Sequence, residues 1–148
     1  MNLRGRPPGA RGGDERGAAA LEFAIIVPAL VLIIAMLVAG GRLAHARATV
    51  TGAAESAARA ASLARTASAA RSDAHAMAAS ETADLVCVGG LQVSVDTSGF
   101  AVPPGSPSSV GVRVGCAVPL FGLAPGLPGT VSVRAESRSV LDRYRGRS

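Results

Sequence analysis

The sequence predicts a membrane-anchored α+β protein. A long N-terminal helix, first transmembrane and then alanine-rich, leads into a small antiparallel β-sheet. Three observations carry this prediction. Nineteen consecutive residues, Phe23 to Gly41, hold no charge. Residues 42–84 are rich in alanine and contain no proline. From residue 85 onward apolar residues recur every second position, the period of a strand with one buried face.

The elements follow in order. Residues 1–17, "MNLRGRPPGARGGDERG", carry Arg4, Arg6, Arg11 and Arg16 against Asp14 and Glu15. This leader is short, basic and rich in Gly and Pro, so it is not expected to fold alone. Residues 18–41 form the span. As a helix, nineteen uncharged residues rise about 28 Å, close to the roughly 30 Å of bilayer hydrocarbon. A core helix of a soluble domain would show a polar face, and this stretch has none. A basic leader is retained in the cytoplasm, while a long downstream segment is translocated largely regardless of its charge. The expected location is the cell membrane, single-pass, with the N-terminus cytoplasmic and the C-terminal part outside.

Residues 42–84 read as helix because alanine is the best helix former. Leu43, Ala46, Val50, Ala53, Ala57, Ala60, Ala64 and Ala67 succeed one another at three- or four-residue steps, which sets them on one stripe. Arg59, Ser62, Thr66 and Asp73 are expected on the opposite side, and Gly40, Gly41 and Gly52 are candidate bends. Residues 85–148 hold the sheet. Three alternating runs, "LQVSVD", "SVGVRVGCAVPL" and "TVSVRAES", predict three strands, and "DLVCVGG" is a candidate for a short fourth. The Pro/Gly stretches between them are loops. The sheet's apolar face needs a cover, and the C-terminal part of the alanine helix is available. The tail "LDRYRGRS" is basic.

Composition narrows the function. All 15 basic residues are arginine and the net charge is +5, but the arginines are scattered and only three Phe and one Tyr are present to stack on bases. No nucleic-acid partner is expected. Cys87 and Cys116 both follow the span, and in an exported segment a disulfide is the simple reading. They are too few for a metal site, and His45 and His75 lie in another segment. No nucleophile–base pair, phosphate loop or metal spacing stands out. Neither enzymatic activity, catalytic residue, cofactor nor small-molecule substrate is therefore expected.

One residue does not fit a plain anchor. Glu22 stands at the start of the apolar run, where an ionised carboxylate is costly. Gly17 closes the leader, Ala18 opens the run, and Glu22 is the fifth residue of it. A secretory signal peptide differs, since its apolar region is shorter and its cleavage site follows it; "AHA" at 44–46 keeps that alternative open. The leader, the Gly–Ala junction, the glutamate at position five, the span and the helix "GRLAHARATVTGAAESAARAASLA" together resemble the TadE-like pseudopilin family over residues 16 to about 65. The resemblance implies a class III signal, cut after Gly17 by a membrane prepilin peptidase to leave Ala18 as the new N-terminus. It implies a role as a minor subunit in Tad/Flp pilus assembly, with other pilins or pseudopilins and the Tad secretion machinery as partners. In that setting Glu22 pairs with the free amino group of a neighbouring subunit and fixes register. The rival reading is an uncleaved single-pass envelope protein whose sheet is a binding module.

Overall fold

The computed structural model describes residues 14–103, 105–120, 126 and 128–142, with side-chain surroundings from Ala20 onward. Leader residues 1–13, most of the loop "FGLAPGLPG" and the tail from residue 143 lie outside the described residues. The element order is α1 (Asp14–Leu63), α2 (Ala67–Glu81), β1 (Gln92–Asp96), a short 3-10 turn (Ser98–Ala101), β2 (Ser109–Pro119) and β3 (Thr130–Val140). The chain divides into two units, residues 1–37 and residues 38–148.

In the first unit the described chain is helical throughout, and Pro28 lies within the helix. The large apolar side chains from Leu21 to Leu37 are all exposed, Phe23 at 67% and Met36 at 79%. No described part of the chain covers them. The 50-residue α1 is the one described helix long and apolar enough to cross a membrane.

The second unit is a helix layer on a sheet. β1, β2 and β3 pair antiparallel in that order. β1 runs against β2 from Gln92↔Gly115 to Asp96↔Gly111, and β2 against β3 from Ser109↔Val140 to Pro119↔Thr130. Alternation sends Val110, Val112, Val114, Cys116 and Val118 of the central strand inward, and all are buried. They join Ala46, Val50, Ala53, Ala57 and Ala61 of α1 and Ala70, Ala74 and Ala78 of α2 in one core. This is the predicted cover. Its largest fully buried side chains are four valines, Val50, Val110, Val112 and Val114. Each contributes about 1.5–3 kcal/mol on burial, and alanines add much less.

The alanine segment is two helices. α1 stops at Leu63, and Thr66, in extended conformation, caps α2 by accepting a hydrogen bond from the Ala69 amide at 3.2 Å. A threonine oxygen satisfies one of the amides that a helix start leaves bare, so the chain turns without glycine or proline. Gly40, Gly41 and Gly52, by contrast, lie within α1. Ser62 also differs from expectation. It is buried, donates to the Arg59 carbonyl at 2.8 Å and accepts from the Ser139 hydroxyl at 3.0 Å. The buried face of α1 is a double row (Ala53 with Ala54, Ala57 with Ala58), which widens it far enough to take in Ser62. Arg59, Thr66 and Asp73 are exposed as expected.

The candidate fourth strand does not form. Val88 donates to the Ala117 carbonyl at 2.8 Å, but Gly89 and Gly90 then take φ of 79° and 85° in a tight turn, closed by the Gly90 amide on the Cys87 carbonyl, that interrupts the pairing until β1 begins at Gln92. Gly99, in the 3-10 turn, has no room for a side chain, because a Cβ there would collide with the Ser109 carbonyl on β2. Gly99→Ala is therefore expected to lower the unfolding free energy by about 1–3 kcal/mol. Gly111→Ala, whose added Cβ would meet ordinary contacts from 3.6 Å, serves as the control. Urea titration of the two variants side by side checks the contrast, and equal midpoints would contradict it.

Candidate functional site

The residues singled out in the sequence fall in two places. Gly17, Ala18 and Glu22 are on α1 in the first unit, and Cys87 and Cys116 are in the second. The backbone of Gly17 and Ala18 is helical, because α1 begins at Asp14. Their side-chain surroundings lie outside the described residues. Glu22 is exposed among exposed apolar neighbours, with Leu21 at 66% and Phe23 at 67%.

The position of Glu22 along the helix bears on its role. A helix dipole stabilises an anion only within the first turn. With α1 running from Asp14, Glu22 stands more than two turns into the helix of the uncut chain, so in that form the helix terminus does not explain the carboxylate. Neither described ion pair involves it; both are on the sheet. A carboxylate at the edge of hydrocarbon is tolerated when a cation meets it there. The chemistry this arrangement offers is thus one of association: an apolar helix surface with one acidic position.

The second unit holds the disulfide. Cys87 and Cys116 are bridged with a Cα–Cα distance of 5.2 Å across 29 positions of sequence. The bond ties the loop after α2 to the middle of the central strand, beside the Val88–Ala117 hydrogen bond. His45 and His75 are exposed on α1 and α2. Among the described residues no group of three or more His, Cys, Asp or Glu side chains is placed to hold a metal.

The outer face of the sheet is polar, as the alternation along the strands implies. Arg113 on β2 donates to Glu136 on β3 at 2.7 Å, and Arg138 reaches the other carboxylate oxygen at 3.2 Å. The Arg113 hydrogen bond is the main reason that the Glu136 carboxyl is held below its usual range. Asp96 is likewise lowered, chiefly by the Ser98 backbone amide, which donates to it at 3.0 Å. Both carboxylates are on the exposed face, so these pairs fix local geometry more than they add stability. A cleft of about 840 Å³ adjoins this region, lined among others by His75, Gln92, Arg113, Arg134 and Glu136.

Comparison with known proteins adds one finding. The model of a family described as TadE-like protein matches residues 17–59. The match opens at Gly17, takes in the exposed apolar helix and ends in the buried double row of alanines, before α2 and the sheet. No curated protein and no solved structure matches the chain.

Proposed function

We propose, on the premise that residues 17–59 are a TadE-like segment, that this chain is a minor pseudopilin of Tad/Flp pilus assembly. A prepilin peptidase cuts it after Gly17, and the mature chain begins at Ala18. The observation that carries this reading is the coincidence of the family match with the exposed apolar part of α1, starting at the residue where the cut is expected. The apolar helix is retained after cleavage because it is the packing element. The leader stays cytoplasmic and the disulfide-bearing unit lies outside, in keeping with the positive-inside rule and with the redox setting in which disulfides persist.

The protein works by association and not by catalysis. In the membrane, Glu22 of one subunit pairs with the Ala18 ammonium of a neighbour, and that pair sets the axial register of packed helices. The partners are other pilins or pseudopilins and the Tad secretion machinery. The sizeable second unit favours a minor, assembly-initiating position, because it is far more than helix packing requires.

Intact mass and N-terminal sequencing of the protein purified from its native membrane test this. A chain that starts at Ala18 supports processing. A chain that keeps residues 1–17 overturns it and leaves an anchored envelope module. A start after Ala46 overturns it in favour of a secreted domain with an ordinary signal peptide.

A further inference from the structure

The geometry points to a second copy of this chain, docked edge to edge along β3 about a two-fold axis through Ala135. The pairing extends the sheet from three strands to six. It does not depend on the pilus reading.

β3 is an edge strand, since the sheet order ends with it. It is 11 residues long, where β1 on the other edge has five, and it holds neither Pro nor Gly. The ladder with β2 shows which backbone groups are spent. Leu141 donates to the Ser108 carbonyl and Leu120 to the Gly129 carbonyl, both at 2.9 Å, one step beyond either end of the strand pairing. Antiparallel hydrogen-bonded pairs alternate. The odd-numbered residues of β3 therefore turn their amides and carbonyls to β2. Ser132, Arg134, Glu136 and Arg138 turn theirs to the open edge. A long edge with unused backbone groups is a template for another strand unless something blocks it.

Charge complementarity selects the occupant. With two copies of Thr130–Val140 overlapping fully and antiparallel, Ala135 meets its own symmetry mate. Arg134 then faces Glu136 of the other copy, and Glu136 faces the other copy's Arg134. Arg138 faces Ser132. The neighbouring registers that keep the same hydrogen-bonding parity are unfavourable. A shift one way sets Glu136 against Glu136 and Arg134 against Arg138; a shift the other way sets Arg134 against Arg134. Opposed unlike charges stabilise antiparallel pairs and opposed like charges destabilise them.

The side chains are ready for this. Glu136 is already positioned by Arg113 and Arg138, and a carboxylate has room for about four donors. Arg134 takes part in neither of those ion pairs. The contact is isologous, so it closes at two copies and does not propagate into a fibre.

The test uses the full chain in detergent and in membranes. Ala135→Cys places two thiols at a non-hydrogen-bonded pair, with Cα atoms about 4.5 Å apart, inside the range a disulfide accepts. Mild oxidation is expected to give an interchain dimer. Ser132→Cys, whose thiols would sit roughly 20 Å apart, is expected to give at least tenfold less. Adding Arg134→Glu to Ala135→Cys should cut the cross-link about tenfold, and Arg134→Glu with Glu136→Arg should restore it. Sedimentation of the chain with its native cysteines, with and without Arg134→Glu, reads the same association without an added thiol. Equal cross-linking at 132 and 135, or a cross-link and a dimer indifferent to Arg134→Glu, overturns the proposal. The N-terminal mass should be unchanged by Arg134→Glu, so failure here is separable from failure of processing.

Discussion

Removing the disulfide, with Cys87→Ala and Cys116→Ala together, is expected to lower the unfolding free energy of the second unit by about 3–4 kcal/mol. The bridge closes a loop of 29 positions. In the chain-entropy account that constrains the unfolded state more than a short loop would. The effect is large because the core is made of small residues. Of its buried members, alanines outnumber all others, and its largest fully buried side chains are valines. A typical domain is stable by about 5–15 kcal/mol, and a core of this kind belongs at the lower end. Alanine is the right replacement, since Cys116 is 3% exposed and a serine hydroxyl there would be buried without a partner. Urea titration followed by far-UV circular dichroism, with and without reductant, reads the effect. The double variant and the reduced protein should share a lowered midpoint. A midpoint that stays with the oxidised protein would show that the helix–sheet packing alone holds the unit.

Much of this architecture is legible in residues 14–142. The three strands follow from Val93 and Val95, from Val110 through Val118, and from Val131 and Val133, because a period of two leaves no other way to bury one face. The helix layer follows from Ala46, Val50, Ala53 and Ala57. What the sequence hid has physical causes too. Thr66 ends one helix and starts the next with a single side-chain hydrogen bond, and without glycine or proline that signal is faint. Ser62 reads as a surface residue until Ser139, far away in sequence, comes to meet it. Gly89 and Gly90 looked like the end of a strand, and their positive φ prevents one instead. The sheet's outer ion pairs and the self-complementarity of β3 depend on register, which periodicity alone does not fix. On the candidate site, the Gly17–Ala18–Glu22 spacing is readable only through its resemblance to a known signal; the geometry adds that in the uncut chain Glu22 is too far into α1 for the helix dipole to account for it.

Gly17→Phe is expected to abolish maturation, while Glu22→Ala is expected to leave maturation intact and abolish assembly. The two separate because they act on different events. The proposed cut is at the Gly17–Ala18 bond, which lies in the first turn of α1, so the backbone there would have to unwind. A glycine unwinds readily and leaves space beside the bond; a phenylalanine resists on both counts. That cut would also create a charge that the precursor lacks, an ammonium on Ala18. That ammonium is the cation Glu22 lacks in the described ion pairs. Breaking a pair of charges in a low-dielectric setting costs about 3–5 kcal/mol, since the survivor is left uncompensated. An association that depends on the pair should therefore fall about 10²- to 10⁴-fold in Glu22→Ala. Glu22→Asp, one methylene shorter with the same charge, should recover part of it. The readouts are the N-terminal mass for cleavage and the amount of protein recovered in sheared pili or in the cross-linked assembly complex. Uncut Gly17→Phe with cut but unassembled Glu22→Ala supports processing and register together. Normal assembly of Glu22→Ala removes the register role and leaves processing standing. Normal maturation of Gly17→Phe removes the role of Gly17 in the signal, and if Glu22→Ala is silent as well the pseudopilin reading falls and the sheet-bearing unit becomes the part of the chain to explain.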